Sequence, residues 1–291
     1  MKQQGSLIKK LRTDRKISQA KLAEGISSRT TLSSFENRKT NLSSQTLFDY
    51  LDKMNITVHE FSLLIDSEVT DQKRQLVQDF YTRYYERTLT LDYLTSLEKR
   101  YFETQNFFYY SLYVQGLLLL NRESFLMNQG AYTQEVELVK QYLFDIETWG
   151  RFELNLFSNL LFIFDQETIS YYLDHGIKKI LHYANDPFYA NLLSVVILNG
   201  CAFASENKDA YLLNKFLLLS EPLPNTPLYF YLKIHQVLYQ EIYSYLQSAQ
   251  LNKEILKNTL VVIEQAGYQN QKKRSPTVAC CCYQSCDLAA Y

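Results

Sequence analysis

Apolar residues recur at three- and four-residue intervals along nearly the whole chain, with no sustained two-residue alternation between them. That spacing predicts amphipathic helices and argues against half-buried strands. Five short helices are expected in the first 66 residues. Leu7–Leu11 opens the first, and residues 14–17 turn. Ser18 caps a second, Gln19–Glu24, which points Leu22 and Ala23 inward and stops at Gly25. Ser27 or Ser28 caps a third, running to about Asn37. Ser43 or Ser44 caps a fourth, with Leu47, Leu51 and Met54 on one face, and Thr57 caps a fifth around Phe61, Leu64 and Ile65.

Residues 67–71 are polar and read as a linker. From 72 to 268 helix follows helix, with breaks near 89–92, 121–123, 130, 165, 185–187, 206–209, 221–227 and 248–251. Alternate breaks lie about 35–40 residues apart, the length of a tetratricopeptide-like helical hairpin. Residues 269–291 lose the periodicity and read as a C-terminal tail. The predicted fold is all-α: a five-helix bundle at 1–66, then a tetratricopeptide-like helical-repeat domain at 72–268.

Composition adds little to this until charge is resolved along the chain. Of 291 residues 46% are apolar and 21% charged, a globular balance, and 24 Tyr with 17 Phe imply a core built largely of rings. The net charge of −1 hides a gradient: residues 1–39 carry ten Lys or Arg against three Asp or Glu. A basic start on an acidic body points to a polyanion met by that end alone. Residues 1–11 lack the apolar centre of a signal peptide, and the run Leu117–Leu120 is too short to cross a bilayer, so no membrane partner is expected. Cys201 stands apart from Cys280, Cys281, Cys282 and Cys286, which suits a reduced, cytoplasmic protein.

The second and third helices have the spacing of a helix-turn-helix. Small Ala23 allows a close crossing, Gly25 the tight turn, Ile26 plugs that turn into the core, and Leu32 and Phe35 bury the back of the recognition helix. Ser28, Arg29, Thr31 and Ser33 are left on its outer side to read base edges in double-stranded DNA. Arg29 suits the O6 and N7 atoms of guanine. Gln19 braces a phosphate or a base. Arg12, Arg15, Arg38 and Lys39 are phosphate candidates, and the helix start at Ser43-Ser44 offers backbone N–H groups.

Leu11-Arg12-x-x-Arg15-x-x-Ser18-Gln19-x-x-Leu22-Ala23 followed by Ser33-x-Phe35-Glu36-x-Arg38 resembles the XRE class of helix-turn-helix proteins. With Trp149-Gly150-Arg151-Phe152-Glu153-Leu154-x-Leu156-Phe157-x-Asn159, the chain resembles the Rgg/GadR/MutR regulators of Gram-positive bacteria. The resemblance implies a homodimeric transcription regulator whose repeat domain senses a short peptide pheromone taken into the cytoplasm. Lys272-Lys273-Arg274, Pro276 and the cysteine cluster depart from the terminal helices expected of that family.

Around that signature, Arg151, Asn155 and Asn159 form one stripe at i, i+4 and i+8. A polar stripe in so apolar a segment needs partners, supplied either by neighbouring helices or by a ligand's amides and carboxylate. Asn191, Ser194 and Asn199 repeat it on a later helix. Trp149, Arg151, Asn155, Asn159, Asn191 and Asn199 are therefore the candidate peptide-binding residues. Tyr109, Tyr110, Tyr189 and Tyr229 are candidates to line the groove. No spaced His or Cys set, Gly-rich phosphate loop or acid–base constellation appears, so no metal, cofactor or catalytic residue is expected. Two other readings stay open: a repeat domain that binds a protein partner, and a helical scaffold with an inactive helix-turn-helix.

Overall fold

The computed structural model describes residues 2–38, 40–65 and 68–265. The chain divides into two compact units, Met1–Asp79 and Phe80–Tyr291.

The first unit holds the five expected helices, α1 (Lys2–Asp14), α2 (Gln19–Ala23), α3 (Arg29–Arg38), α4 (Ser44–Lys53) and α5 (Val58–Leu64). They enclose Ile8, Leu22, Leu32, Phe35, Tyr50, Leu51, Met54 and Phe61, all buried. The caps settle which of two serines starts each helix. Ser28 Oγ accepts from the Thr31 N–H at 3.0 Å, and Ser43 Oγ from the Thr46 N–H at 3.1 Å. Ser27 instead hydrogen-bonds the Tyr50 hydroxyl. Burial, partly offset by that bond, holds the Tyr50 phenol above its usual pKa. Thr57 and Glu60 form a reciprocal capping box. Gly25, at φ +78°, makes the turn after α2 in the left-handed region that favours glycine.

The segment read as a linker is helical from Glu68. It opens α6 (Glu68–Tyr85), a single helix that spans the boundary between the units.

The second unit continues with α7 (Leu91–Thr104), α8 (Phe107–Leu120), α9 (Arg122–Met127), α10 (Thr133–Asp145), α11 (Arg151–Asn159), α12 (Gln166–Tyr172), α13 (Pro187–Glu206), α14 (Ala210–Ser220), α15 (Phe230–Ser248) and α16 (Lys253–Gln265). No strand occurs among the described residues. Successive helices pack as neighbours, α7 on α8, α13 on α14, α14 on α15 and α15 on α16, and α11 lies against α13. The expected breaks recur, but two were not anticipated. Gln105, at φ +54°, divides α7 from α8 within the polar run Glu103-Thr104-Gln105-Asn106, and Asn106 caps α8. Residues 146–150 separate α10 from α11. Winding is also irregular: Leu173–Ile177 is a π-turn and Lys178–Tyr183 a 3-10 turn. Asp174 joins them through Lys178 at 2.7 Å and reaches Lys215 on α14 at 2.6 Å. Those two hydrogen bonds hold its carboxyl below the ordinary range.

By length and composition α13 would pass for a membrane span, yet 72% of its most apolar window is buried inside the protein. It is the central core helix. Gly200 sits where α13 crosses α14, and a methyl group there would collide with the Phe216 ring, itself fully buried. Gly200→Ala is expected to lower stability by about 1–3 kcal/mol through overpacking. Urea unfolding followed by far-ultraviolet circular dichroism measures it, and an unchanged midpoint would contradict this packing.

Candidate functional site

At the centre of the first unit the Glu36 carboxylate accepts three hydrogen bonds from two neighbouring helices. Arg12 on α1 forks onto it, Nε to Oε1 at 2.7 Å and Nη2 to Oε2 at 3.0 Å. Gln19 on α2 donates Nε2 to Oε2 at 2.7 Å, and Arg12 Nη1 reaches the Ile17 carbonyl at 2.6 Å. The Glu36 side chain is wholly buried and that of Arg12 is 9% exposed. This corrects the expectation that Arg12 contacts phosphate. Its guanidinium is spent inside the bundle, where it fixes α1, the following turn and α3 together. Gln19 is drawn partly into the same cluster, and its position at the start of α2 is set by Glu36.

Arg15 stays on the surface, though Nε donates to the Met54 carbonyl at 3.0 Å and Nη1 to the Leu11 carbonyl at 3.3 Å. Those bonds hold it between α1 and the end of α4. Arg29 and Thr31 are exposed at the start of α3, as expected, and Ser33 is half-buried one turn on. Ser28 is exposed, but its hydroxyl is engaged by Thr30, Thr31 and the Thr31 N–H. It therefore shapes the helix start more directly than it offers a reading group. Thr30, not anticipated, is exposed beside Arg29. The Arg38 side chain and Lys39 lie outside the described residues. Lys9 on α1 donates to Asn37 Oδ1 at 2.9 Å and ties down the far end of α3.

In the second unit the signature around Trp149 resolves into packing and capping at the start of α11. Trp149 is 7% exposed. Its Nε1 donates to the Leu143 carbonyl at 3.1 Å and its ring lies 4.5 Å from that of Tyr172. Direct ligand contact by Trp149 is thereby corrected to a supporting role. Gly150 donates its N–H to Glu153 at 2.8 Å, and Glu153 also accepts from the Tyr142 hydroxyl at 2.9 Å. Burial, then that bond to a carboxylate, pushes the Tyr142 phenol up to about 12.

The stripe on α11 is graded. Arg151 is exposed, with its guanidinium 5.3 Å from the Phe188 ring centre on α13, Asn155 is half-buried and Asn159 is buried. Asn159 Nδ2 donates to the Tyr81 hydroxyl at 3.0 Å and to Gln115 Oε1 at 2.8 Å. On α13, Asn191 is half-buried, while Asn199 is fully buried and donates to Ser158 Oγ at 2.9 Å. Ser194 closes on the Ala190 carbonyl. The expected set thus splits: Arg151, Asn155 and Asn191 reach the surface, whereas Trp149, Asn159 and Asn199 brace helices from within. Tyr110 and Tyr229 are likewise core. Tyr81, Gln115 and Ser158 partner Asn159 and Asn199 in the interior. Tyr81 and Gln115 escaped the sequence reading because they lie 78 and 44 residues from their partner.

Replacing Glu36 by Gln removes the counter-charge from a buried guanidinium, which typically costs about 3–5 kcal/mol. Amide protection in α1–α3 is expected to fall accordingly by hydrogen exchange, and Arg12→Met combined with Glu36→Leu is expected to recover most of it. If Glu36→Gln alone leaves protection intact, the fork does not hold the bundle.

Comparison with known proteins agrees with this division. The domain family described as HTH-type transcriptional regulator Rgg, C-terminal domain, matches residues 91–275, and a helix-turn-helix family matches residues 8–61. Among solved structures, the Streptococcus dysgalactiae SHP pheromone receptor Rgg2 is similar with a TM-score of 0.67 at 19% identity, covering 92% of this chain and 95% of that one. A transcriptional regulator structure from Listeria monocytogenes EGD-e gives 0.73 at 17%, covering 91% and 92%. The PrgX/cCF10 complex gives 0.68 at 15%, covering 93% and 95%. With its repeat unit matched along most of its length and a helix-turn-helix ahead of it, the chain belongs to the Rgg family of HTH-type transcriptional regulators.

Proposed function

We propose that this regulator acts in the cytoplasm as a homodimer, binds operator DNA through residues 1–66, and has its DNA affinity set by a short peptide held against residues 72–268. The observation that carries the peptide reading is the graded stripe on α11. Arg151 is available for a carboxylate, and Asn155 next to it offers both a donor and an acceptor to an extended backbone. Asn191 on the neighbouring α13 adds a second amide. Two of the similar structures are a pheromone receptor and a complex of PrgX with cCF10, which supports a peptide over a small metabolite.

On the DNA side, Arg29, Thr30, Thr31 and Ser33 are the reading set. Arg15, Arg38, Lys39 and the start of α4 meet phosphates. The basic balance of residues 1–39 supplies the non-specific attraction. A dimer brings two recognition helices to half-sites about 34–36 Å apart, so a small change in the pairing of subunits suffices to alter affinity.

Two measurements test this. With a duplex selected from a random pool by the full-length protein, Arg29→Ala is expected to lose about 5–150-fold in affinity and relax preference at one base pair. Arg15→Ala is expected to weaken all sequences alike and reduce the salt slope by about one. Equal binding by the wild type and both variants rejects DNA reading by this surface. For the ligand, Trp149 is the single tryptophan and packs two residues before the start of α11, so its emission reports on the site. Synthetic peptides from small reading frames beside the gene should give a saturable change that Arg151→Ala and Asn155→Ala weaken at least about tenfold, the scale of one charge-assisted hydrogen bond. No saturable change with any of them sinks the peptide reading and favours a protein partner for the repeat unit.

A further inference from the structure

Tyr110 on α8 sits at the centre of a ring cluster. It is 3% exposed, with the rings of Tyr101, Phe107 and Tyr113 at 4.9, 5.7 and 5.7 Å. Phe107 in turn stacks at 3.9 Å on Tyr142 of α10. Other phenols of this unit spend their hydroxyls inside the protein: Tyr229 donates to the Ala184 carbonyl and Tyr142 to Glu153. The Tyr110 hydroxyl makes no hydrogen bond to a described residue. What faces it is charge of one sign. Glu98 on α7 and Glu135 in the first turn of α10, both half-buried, act on Tyr110 and Tyr113 alike. Burial first, and then these carboxylates, hold both phenols above their ordinary pKa. Neither carboxylate has an ion pair or hydrogen bond with a described residue. The three cations of α7, α8 and α10 are engaged elsewhere. Lys99 reaches Glu103 at 3.9 Å, Lys140 reaches Glu137 at 3.4 Å, and Arg100 lies 4.8 Å from the Tyr109 ring centre.

We propose that this face of α7, α8 and α10 docks a partner protein, anchored by an arginine side chain of that partner seated between Glu98, Glu135 and the rings of Tyr110 and Tyr113. Two carboxylates half removed from water beside the same phenols disfavour one another's charge until a cation joins them. A metal ion is a poor match, because no group of three His, Cys, Asp or Glu is placed to hold one among the described residues. A guanidinium answers every feature at once. Its plane stacks on rings, its N–H groups fork onto carboxylates, and a phenol oxygen accepts from one left over. An ammonium lacks the plane, and a quaternary ammonium lacks the donors. The surroundings favour a cation carried on a polypeptide. Phe102 follows Glu98 by four positions on α7, Leu138 follows Glu135 by three on α10, and the two are 63% and 40% exposed. Each carboxylate therefore has an exposed apolar neighbour one helical turn away. A free small cation leaves that surface in water, whereas a protein covers it, and tyrosine and arginine are the residues that anchor protein interfaces. The stripe on α11 takes no part, so this inference stands apart from the peptide reading.

The test uses full-length protein and fluorescein-labelled probe peptides read by anisotropy. One probe carries an arginine flanked by leucines, a second has citrulline in its place, a third has lysine, and N-acetyl-arginine amide competes as the free form. The arginine peptide is expected to bind saturably. The citrulline peptide, equal in shape but neutral, should bind at least about tenfold more weakly, the scale of a charge-assisted hydrogen bond. The lysine peptide should fall between them, because it cannot fork or stack. Glu98→Gln and Glu135→Gln should each weaken the arginine peptide at least about fivefold and bring it close to the citrulline one. Phe102→Ser should weaken both peptides and leave competition by the free amide unchanged. Thermal unfolding guards against a merely structural role: the Glu98→Gln/Glu135→Gln double variant should melt no lower than wild type, since it removes charges that the fold does not pair. No saturable binding, equal binding of the arginine and citrulline peptides, or a melting temperature that falls with the peptide affinity overturns the proposal. Free N-acetyl-arginine amide binding as tightly as the peptide overturns the protein occupant and points to a small-molecule guanidinium.

Discussion

A carboxylate with no access to water must be neutralised where it lies, and in the helix-turn-helix that demand falls on Glu36. Its oxygens accept from α1 and α2 while it stands on α3, so three helices share one desolvated charge. Apolar packing alone would tolerate some sliding between such short helices. A forked guanidinium does not, because both of its bonds have fixed directions. The recognition helix therefore leaves the bundle at one angle, and Arg29, Thr30 and Thr31 are presented from a rigid base. Basicity near the start of the chain has two different uses: Arg12 is structural, and Arg15 is held at the surface.

The repeat unit faces the opposite problem, too few polar groups in too apolar a space. Every buried amide must find a partner, on the backbone or on another side chain. Asn159, Gln115 and Tyr81 solve this for one another, and Asn199 with Ser158 does so nearby. Such networks are high in stakes because losing one member strands the next.

Local features were legible in the sequence. Ser18, Ser43 and Thr57 cap where spacing places them, Gly25 turns where it must, and the inward faces of the five short helices are those of the apolar period. These depend on neighbours within four residues. The sequence also announced that Arg151, Asn155 and Asn159 share a face, but not that the face descends from solvent into the core. Depth depends on α6, α8 and α13, far away along the chain. For the same reason Arg12 read as an open cation: nothing local to it reveals that Glu36 folds over it. The break at Gln105 was legible but unread: Glu103-Thr104-Gln105-Asn106 interrupts the aromatic run, and Asn106 is the cap of the next helix.

The buried core helix has a consequence for the order in which the protein is made. α13 ends at Glu206; α11, which lies against it, is already made, but α14 and α15 on its other faces are not complete until Ser248. At 5–20 residues per second, those 42 positions take about 2–8 s to synthesise. For that interval the nascent chain displays a twenty-residue apolar segment of the kind that targeting and chaperone systems sort by hydrophobicity. The helix-turn-helix, already translated, has its own core to fold around, but the second unit does not. Translation pauses, or rare codons between 207 and 248, would therefore favour capture or aggregation of the second unit before it can fold.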